Sequence, residues 1–92
     1  MQIKFHKQPI SFLEKSSEKE KSKIKFKLKE LYDFYSGNGW HHLSELDIKT
    51  LDGNWKGYRR LRIGKIRIIY QLDRTDDTLI IVKIDSRGDV YK

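Results

Sequence analysis

Residues 57–72 read GYRRLRIGKIRIIYQL, and the way this stretch doubles back on itself decides the architecture. Gly64-Lys65 is a Gly-X pair of the kind that closes a two-residue hairpin. Such a turn sets Ile63 opposite Ile66, Arg62 opposite Arg67, Leu61 opposite Ile68 and Arg60 opposite Ile69. Directly opposed residues share one face of a sheet, so the side chains sort into two sets. Leu61, Ile63, Ile66 and Ile68 make an apolar face ready to receive helices. Arg60, Arg62 and Arg67 make the other face, with Ile69 and Gln71 beside them, and these arginines are expected to stay open.

Arg62 against Arg67 is unfavourable in isolation, because like charges across a ladder repel. Residues 53 to 72 hold six basic side chains and no carboxylate that would relieve this locally. The arrangement makes sense if an anion is meant to sit between the arginines. Guanidinium suits phosphate because its planar fork gives two parallel hydrogen bonds and its charge persists at every working pH. The plainer alternative is a solvated face, its arginine stems covering the sheet and its charge met by Asp85 or Asp89.

Outward from the hairpin, the chain is strand-like to its end, with a turn across Asp73 to Asp77. Leu79 to Ile84 is apolar at nearly every position and suits a strand covered on both faces. On the N-terminal side, Gln2 to His6 alternates, with Ile3 and Phe5 on one side, and reads as a first strand. Pro9 fits the first turn of a helix that Phe12 and Leu13 anchor to the core. Ser17 and Glu20 form a capping-box pattern that opens a second helix. Ile24, Leu28, Leu31, Tyr32 and Tyr35 carry it at helical spacing until Gly37-Asn38-Gly39. Lysine at every odd position from Lys21 to Lys29 also has the period of a strand. A strand there would align five like charges, whereas Lys and Leu are good helix formers. Helix is the expected outcome, with the lysines on a solvated outer face. Residues 40 to 55 are least legible, with a short helical or turn segment expected around Ser44 to Leu51 and a turn at Asp52-Gly53-Asn54. The order strand, helix, helix, strands implies an α+β fold, two helices on one face of a small, mostly antiparallel sheet.

The chain has 92 residues and no cysteine. That is one domain, spanning residues 1 to 92, with no disulfide framework and no zinc-finger site. Three histidines without cysteines make a poor metal set, and no apolar run approaches membrane-spanning length. The first residues lack the apolar stretch of a signal peptide, so a cytoplasmic protein is expected. A formal net charge of +7 points to an anionic partner, nucleic acid or an acidic protein.

The stretches LDGNWKGYRRLRIGKIRIIYQLD and IIVKIDSRGDVYK resemble the RelE/ParE toxin superfamily, and its RelE branch in particular. Leu51, Gly53, Arg60, Leu61, Arg62, Gly64, Arg67, Ile68, Tyr70, Arg87, Val90 and Tyr91 fill the positions of the family pattern. The likeness covers residues 46 to 92. It implies the toxin of a type II toxin-antitoxin system, an endoribonuclease that cuts mRNA in the ribosomal A site and is silenced by a cognate acidic antitoxin. Its partners would be mRNA, ribosomal RNA and that antitoxin, with no membrane, metal or other cofactor. In such enzymes the 2′-hydroxyl attacks the adjacent phosphate, leaving a cyclic phosphate and a free 5′-hydroxyl.

Carried over by position, Arg67 and Arg87 would hold the scissile phosphate and Arg60 would assist on the same face. Tyr91 would stack on the substrate, orient it near the leaving group or relay a proton. Arg62, Tyr58, Lys65 and Lys83 are the candidate substrate contacts around them. Some RelE-branch enzymes carry lysines where this chain has Tyr58 and Arg60. Because a guanidinium hardly ever deprotonates, this leaves the general base open. Ser86 replaces the histidine common before the final arginine. His41 and His42 read as exposed loop residues and Tyr70 as a core residue; Lys83 could reach the arginine face, but a sheet-edge lysine is the more ordinary reading. The competing functions are a ParE-like inhibitor of DNA gyrase and a toxin homologue without catalytic activity.

Overall fold

The computed structural model describes residues 1–37 and 46–86. Strand β1 (Gln2–Phe5) leads into helices α1 (Lys7–Lys15) and α2 (Glu18–Ser36). Strands β2 (Asp47–Thr50), β3 (Arg59–Ile63), β4 (Ile66–Asp73) and β5 (Thr78–Asp85) follow, with a 3-10 turn at Gly53–Trp55. The sheet runs β1-β5-β4-β3-β2. Only the β1–β5 pair is parallel. Two helices on a mostly antiparallel sheet is the expected α+β arrangement.

The hairpin adopts the register that its turn dictates, with Ile63 against Ile66, Arg62 against Arg67, Leu61 against Ile68 and Arg60 against Ile69. Gly64 stands at φ +60° in the first turn position, where a II′ turn demands a left-handed residue. Ile24, Leu28 and Leu31 of α2 pack on Leu61, Ile63, Ile66, Ile68 and Tyr70 of the hairpin in one core. Burial of each such side chain stabilises the fold by about 1.5–3 kcal/mol.

Ser17 begins α2 as expected, its hydroxyl accepting a hydrogen bond from the Glu20 amide at 3.1 Å. Gly37 ends it at φ +80°. The alternating lysines thus lie on a helix: Ile24 and Leu28 are buried, and Lys19, Lys23, Lys25 and Lys29 exposed. Pro9 is buried near the start of α1, and Phe12 and Leu13 pack against the core. Gln8 clamps α1 to β5, its amide donating to the Ile84 carbonyl at 2.7 Å and accepting from the Ile84 amide at 2.8 Å. Because β1 ends at Phe5, opposite Ile81, those backbone groups of β5 need a side-chain partner.

A bulge between Ile69 and Tyr70 sets Lys83 against Ile69 but Ile81 against Tyr70. One extra residue on β5 lets both Ile81 and Ile84 point into the core. Leu79, Ile81 and Ile84 are buried, and Ile80 and Val82 half-buried, as expected of a strand covered on both sides.

One expectation needs correction. Part of the segment around Ser44 to Leu51 is an edge strand rather than a helix or turn: Asp47 to Thr50 pair antiparallel with Arg62 to Arg59. Four residues are too few to show a period on their own, and partnership with β3 supplies the strand. Ser44 itself lies outside the described residues. Lys83 lies on β5 beyond the end of β1, which pairs only with Thr78 to Ile81, so a strand flanks it on the β4 side alone.

Candidate functional site

The sheet face away from the helices collects charge in two rows. Cross-strand partners share a face, so the register alone places Asp47, Arg62, Arg67 and Asp85 in one row. Lys49, Arg60, Ile69 and Lys83 form the next. Five bases therefore share this face with two acids. Over it opens a cavity of about 410 Å³ lined by Lys49, Thr50, Leu51, Asp52, Arg60, Arg62 and Arg67.

The three arginines differ in how they are held. Arg62 is exposed and Arg67 half-buried, as expected for an open face. Arg60 is not open: its side chain is 9% exposed. Edge strand β2 is the cause, since it places Lys49 directly opposite Arg60. A buried cation needs a counter-charge, and Asp47 supplies it. The Arg60 Nη2 lies 3.3 Å from Asp47 Oδ1, and the Arg62 Nε lies 3.1 Å from Asp47 Oδ2. One carboxylate thus ties two guanidiniums together and relieves the strain of Arg62 facing Arg67. The Arg60 Nε is buried with no hydrogen-bond partner among the described residues. Leaving such a donor unmade costs about 1–3 kcal/mol, and an anion entering the cavity can offer an acceptor.

The remaining sequence candidates divide. Lys83 shares the open face opposite Ile69 but is not among the residues that line the cavity. Tyr58 is half-buried and meets Trp55 edge-on at a centroid distance of 5.4 Å, which makes it a packing residue of the loop before β3. Lys65 belongs to a separate depression with Ser17, Lys19, Glu20 and Lys23. The turn that gives the hairpin its register also carries this lysine away from the arginines. Arg87, Tyr91, His41 and His42 lie outside the described residues. Ser86 is exposed just beyond β5, and Asp85 is registered against Arg67.

Tyr70 is a core residue as expected, its hydroxyl 2.7 Å from that of Tyr35. Burial, then the hydrogen bond with Tyr35, raise its phenol well above the ordinary tyrosine range. It stays neutral.

The sequence did not disclose Lys49, Thr50 and Asp52, which line the cavity, or Asp47, the acid that ties Arg60 to Arg62. A signal was present: Asp47-Ile48-Lys49 alternates, and Ile48 packs against the core opposite Leu61. It is legible only once β2 is known to be a strand. Among the described residues, no three His, Cys, Asp or Glu side chains gather as metal ligands, and no helix is long and apolar enough to cross a membrane.

A chain of the archaeal RelE-RelB complex from Pyrococcus horikoshii OT3 shares this fold at a TM-score of 0.71 and 22% identity, over 95% of this chain and 94% of that one. A chain of the RelB-RelE antitoxin-toxin complex from Methanococcus jannaschii matches at 0.70 and 25% identity, over 96% and 94%. YafQ from E. coli strain BL21(DE3) matches at 0.63 and 20% identity, over 98% and 97%. No protein of curated function matches the sequence at a significant level. The model of the ParE toxin of type II toxin-antitoxin systems, parDE, matches residues 10–91. With nearly the whole chain accounted for by that model and the fold shared with RelE-type structures, this protein belongs to the ParE toxin family of the RelE/ParE superfamily.

Proposed function

We propose that the protein is a ribosome-dependent mRNA endonuclease, the toxin of a type II pair, and that its arginine cavity receives the scissile phosphate. One observation carries this reading: Arg60, Arg62 and Arg67 line a single cavity on the open face, and the buried Nε of Arg60 lacks a partner among the described residues. Phosphoryl chemistry of this kind needs donors preorganised around the charge that develops at phosphorus. Arg60 is held in place by Asp47 and by burial, so little reorganisation is needed when the phosphate arrives. Arg67 projects from the central strand β4 and supplies the second guanidinium. On the family pattern, Arg87 and Tyr91 complete the site from the end of the chain. The 2′-hydroxyl attacks the neighbouring phosphate, and the products are a cyclic phosphate and a free 5′-hydroxyl.

A cytoplasmic toxin must be kept inactive, and the partner that fits a net charge of +7 is a cognate acidic antitoxin. The archaeal relatives are held in complexes with RelB, which supports a partner of that type. The test is translation in a cell-free system followed by mapping of mRNA ends. Cuts confined to ribosome-bound message are the expected result.

A second reading is favoured by the family match itself, which is to ParE toxins. In that reading the protein inhibits DNA gyrase through protein contacts, and the basic face is an interaction surface rather than a catalytic one. A supercoiling assay on the same preparation decides. Blocked supercoiling with intact mRNA would replace the nuclease with the gyrase inhibitor.

A further inference from the structure

We propose that the outer face of α2 and the tip of the β3–β4 hairpin form a docking surface for single-stranded RNA, separate from the arginine cavity. The inference goes beyond the nuclease reading and holds whether or not the protein cuts what it binds. Helix α2 carries six lysines. Three are matched by acids on the same helix: Lys21 with Glu18 at 3.6 Å, Lys27 with Glu30 at 3.2 Å and Lys29 with Asp33 at 3.1 Å. Lys19, Lys23 and Lys25 have no such acid among the described residues.

Two of these unmatched lysines meet a third cation. Lys19 and Lys23 are four positions apart and share one side of the helix. With Lys65 of the hairpin turn they line a depression of about 300 Å³. Lys23 reaches across to that turn, its Nζ lying 3.7 Å from the point where a Cβ on Gly64 would stand. Packing of α2 on the hairpin thus gathers three ammonium groups from two distant stretches of sequence, with Glu20 as the one carboxylate in the lining. A polyanion threading such a cluster relieves the repulsion within it and sheds its own counterions.

Phe26 supplies the other half of the surface. It follows Lys23 by three positions and Lys19 by seven, so it lies on the same side one turn further along, about 5.4 Å. It is 63% exposed, and no other ring meets it among the described residues. An isolated exposed phenylalanine is ordinary. Beside a row of unmatched lysines it offers what a single strand needs, a flat face for one base and cations for the neighbouring phosphates. An acidic helix would need a groove, and Phe26 stands on the convex face of α2. A bilayer would need several apolar side chains, and Phe26 is the only large exposed one on the described part of this helix. Duplex DNA keeps its base faces inside the stack, whereas RNA supplies unpaired bases that can be splayed onto an aromatic ring.

Binding of a fluorescein-labelled oligouridylate of about 12 nucleotides, within the span of single-strand sites, is followed by anisotropy without ribosomes. Salt is varied from about 50 to 200 mM, with a melting curve for each variant. Lys19→Gln, Lys23→Gln and Lys65→Gln combined should weaken binding and flatten the slope of log affinity against log salt by about 2, three phosphates at about 0.7 each. Lys4→Gln, Lys7→Gln and Lys25→Gln combined remove the same charge from exposed positions elsewhere and should leave the slope nearly unchanged. Phe26→Ala should weaken binding about tenfold, the usual order for one stacked base, and Phe26→Tyr should restore it. Added to Arg62→Gln and Arg67→Gln, the first lysine triple should flatten the slope by the same amount, which separates this surface from the cavity. Equal losses from the two lysine triples would reduce the effect to net charge and overturn the proposal. So would a folded Phe26→Ala that binds as wild type does. Displacement of the RNA by polyglutamate at matched charge would overturn it in favour of an acidic protein partner.

Discussion

The two faces of the β3–β4 hairpin use the same backbone and the same register to opposite ends. Toward the helices, Leu61, Ile63, Ile66 and Ile68 are all nearly free of solvent contact and packed in one cluster. Toward the open side, Arg60, Arg62 and Arg67 line a polar cavity, with Asp47 tying two of them together. The difference teaches which face holds the protein together and which is available for chemistry. Apolar burial is non-directional and needs only shape and volume. The charged face needs a specific counter-ion at each buried group, and here the acid comes from a strand outside the hairpin. Stability and activity should therefore respond to different substitutions.

The largest effect is expected on the helix side. Ile68→Ala removes a fully buried side chain at the centre of the core and should cost about 2–5 kcal/mol of stability. Urea denaturation measures it, and a midpoint near that of wild type would show that the apolar face is not the structural one. Next comes Arg67→Ala, expected to slow single-turnover mRNA cleavage by about 10²–10³, the usual loss for one donor to transition-state charge. Its melting temperature should stay close to wild type, because Arg67 lies outside the core cluster. Arg67→Lys should recover only part of the rate, since an ammonium lacks the two-pronged contact. A folded Arg67→Ala protein that cuts at full speed would break the division between the faces.

Asp47→Ala sharpens the comparison, because it perturbs both properties modestly. Half-exposed Asp47 meets a buried Arg60, so the loss should fall between a surface ion pair and a buried one, about 1–2 kcal/mol. Denaturation measures the stability term, and a smaller value would mean that water already compensates Arg60. The smallest effect is long-range. Association with an acidic antitoxin should slow as salt rises from low to physiological strength, since screening shortens the reach of the +7 charge. Stopped-flow association rates read this directly, and a salt-independent rate would remove steering from the account.

What the sequence determined by itself was local. The Gly64-Lys65 turn set the register of the hairpin, and period two then assigned every side chain from Arg60 to Ile69 to a face. Ser17 with Glu20 and the positive φ of Gly37 bounded α2 by side-chain and backbone chemistry within a few residues of each end. The three arginines that line the cavity followed from that register alone. What only the tertiary structure decided was the neighbourhood of the hairpin. Asp47 to Thr50 has too short a pattern to declare itself a strand, and its pairing with β3 depends on residues a dozen positions away. That pairing buried Arg60, delivered the acid that the hairpin lacks and brought Lys49 to the rim of the cavity. The same kind of long-range placement set β1 parallel beside β5. Turns and caps draw their energy from contacts near in sequence. The charge balance of an open sheet face depends on which strand arrives beside it, and that choice is made by packing of the whole chain.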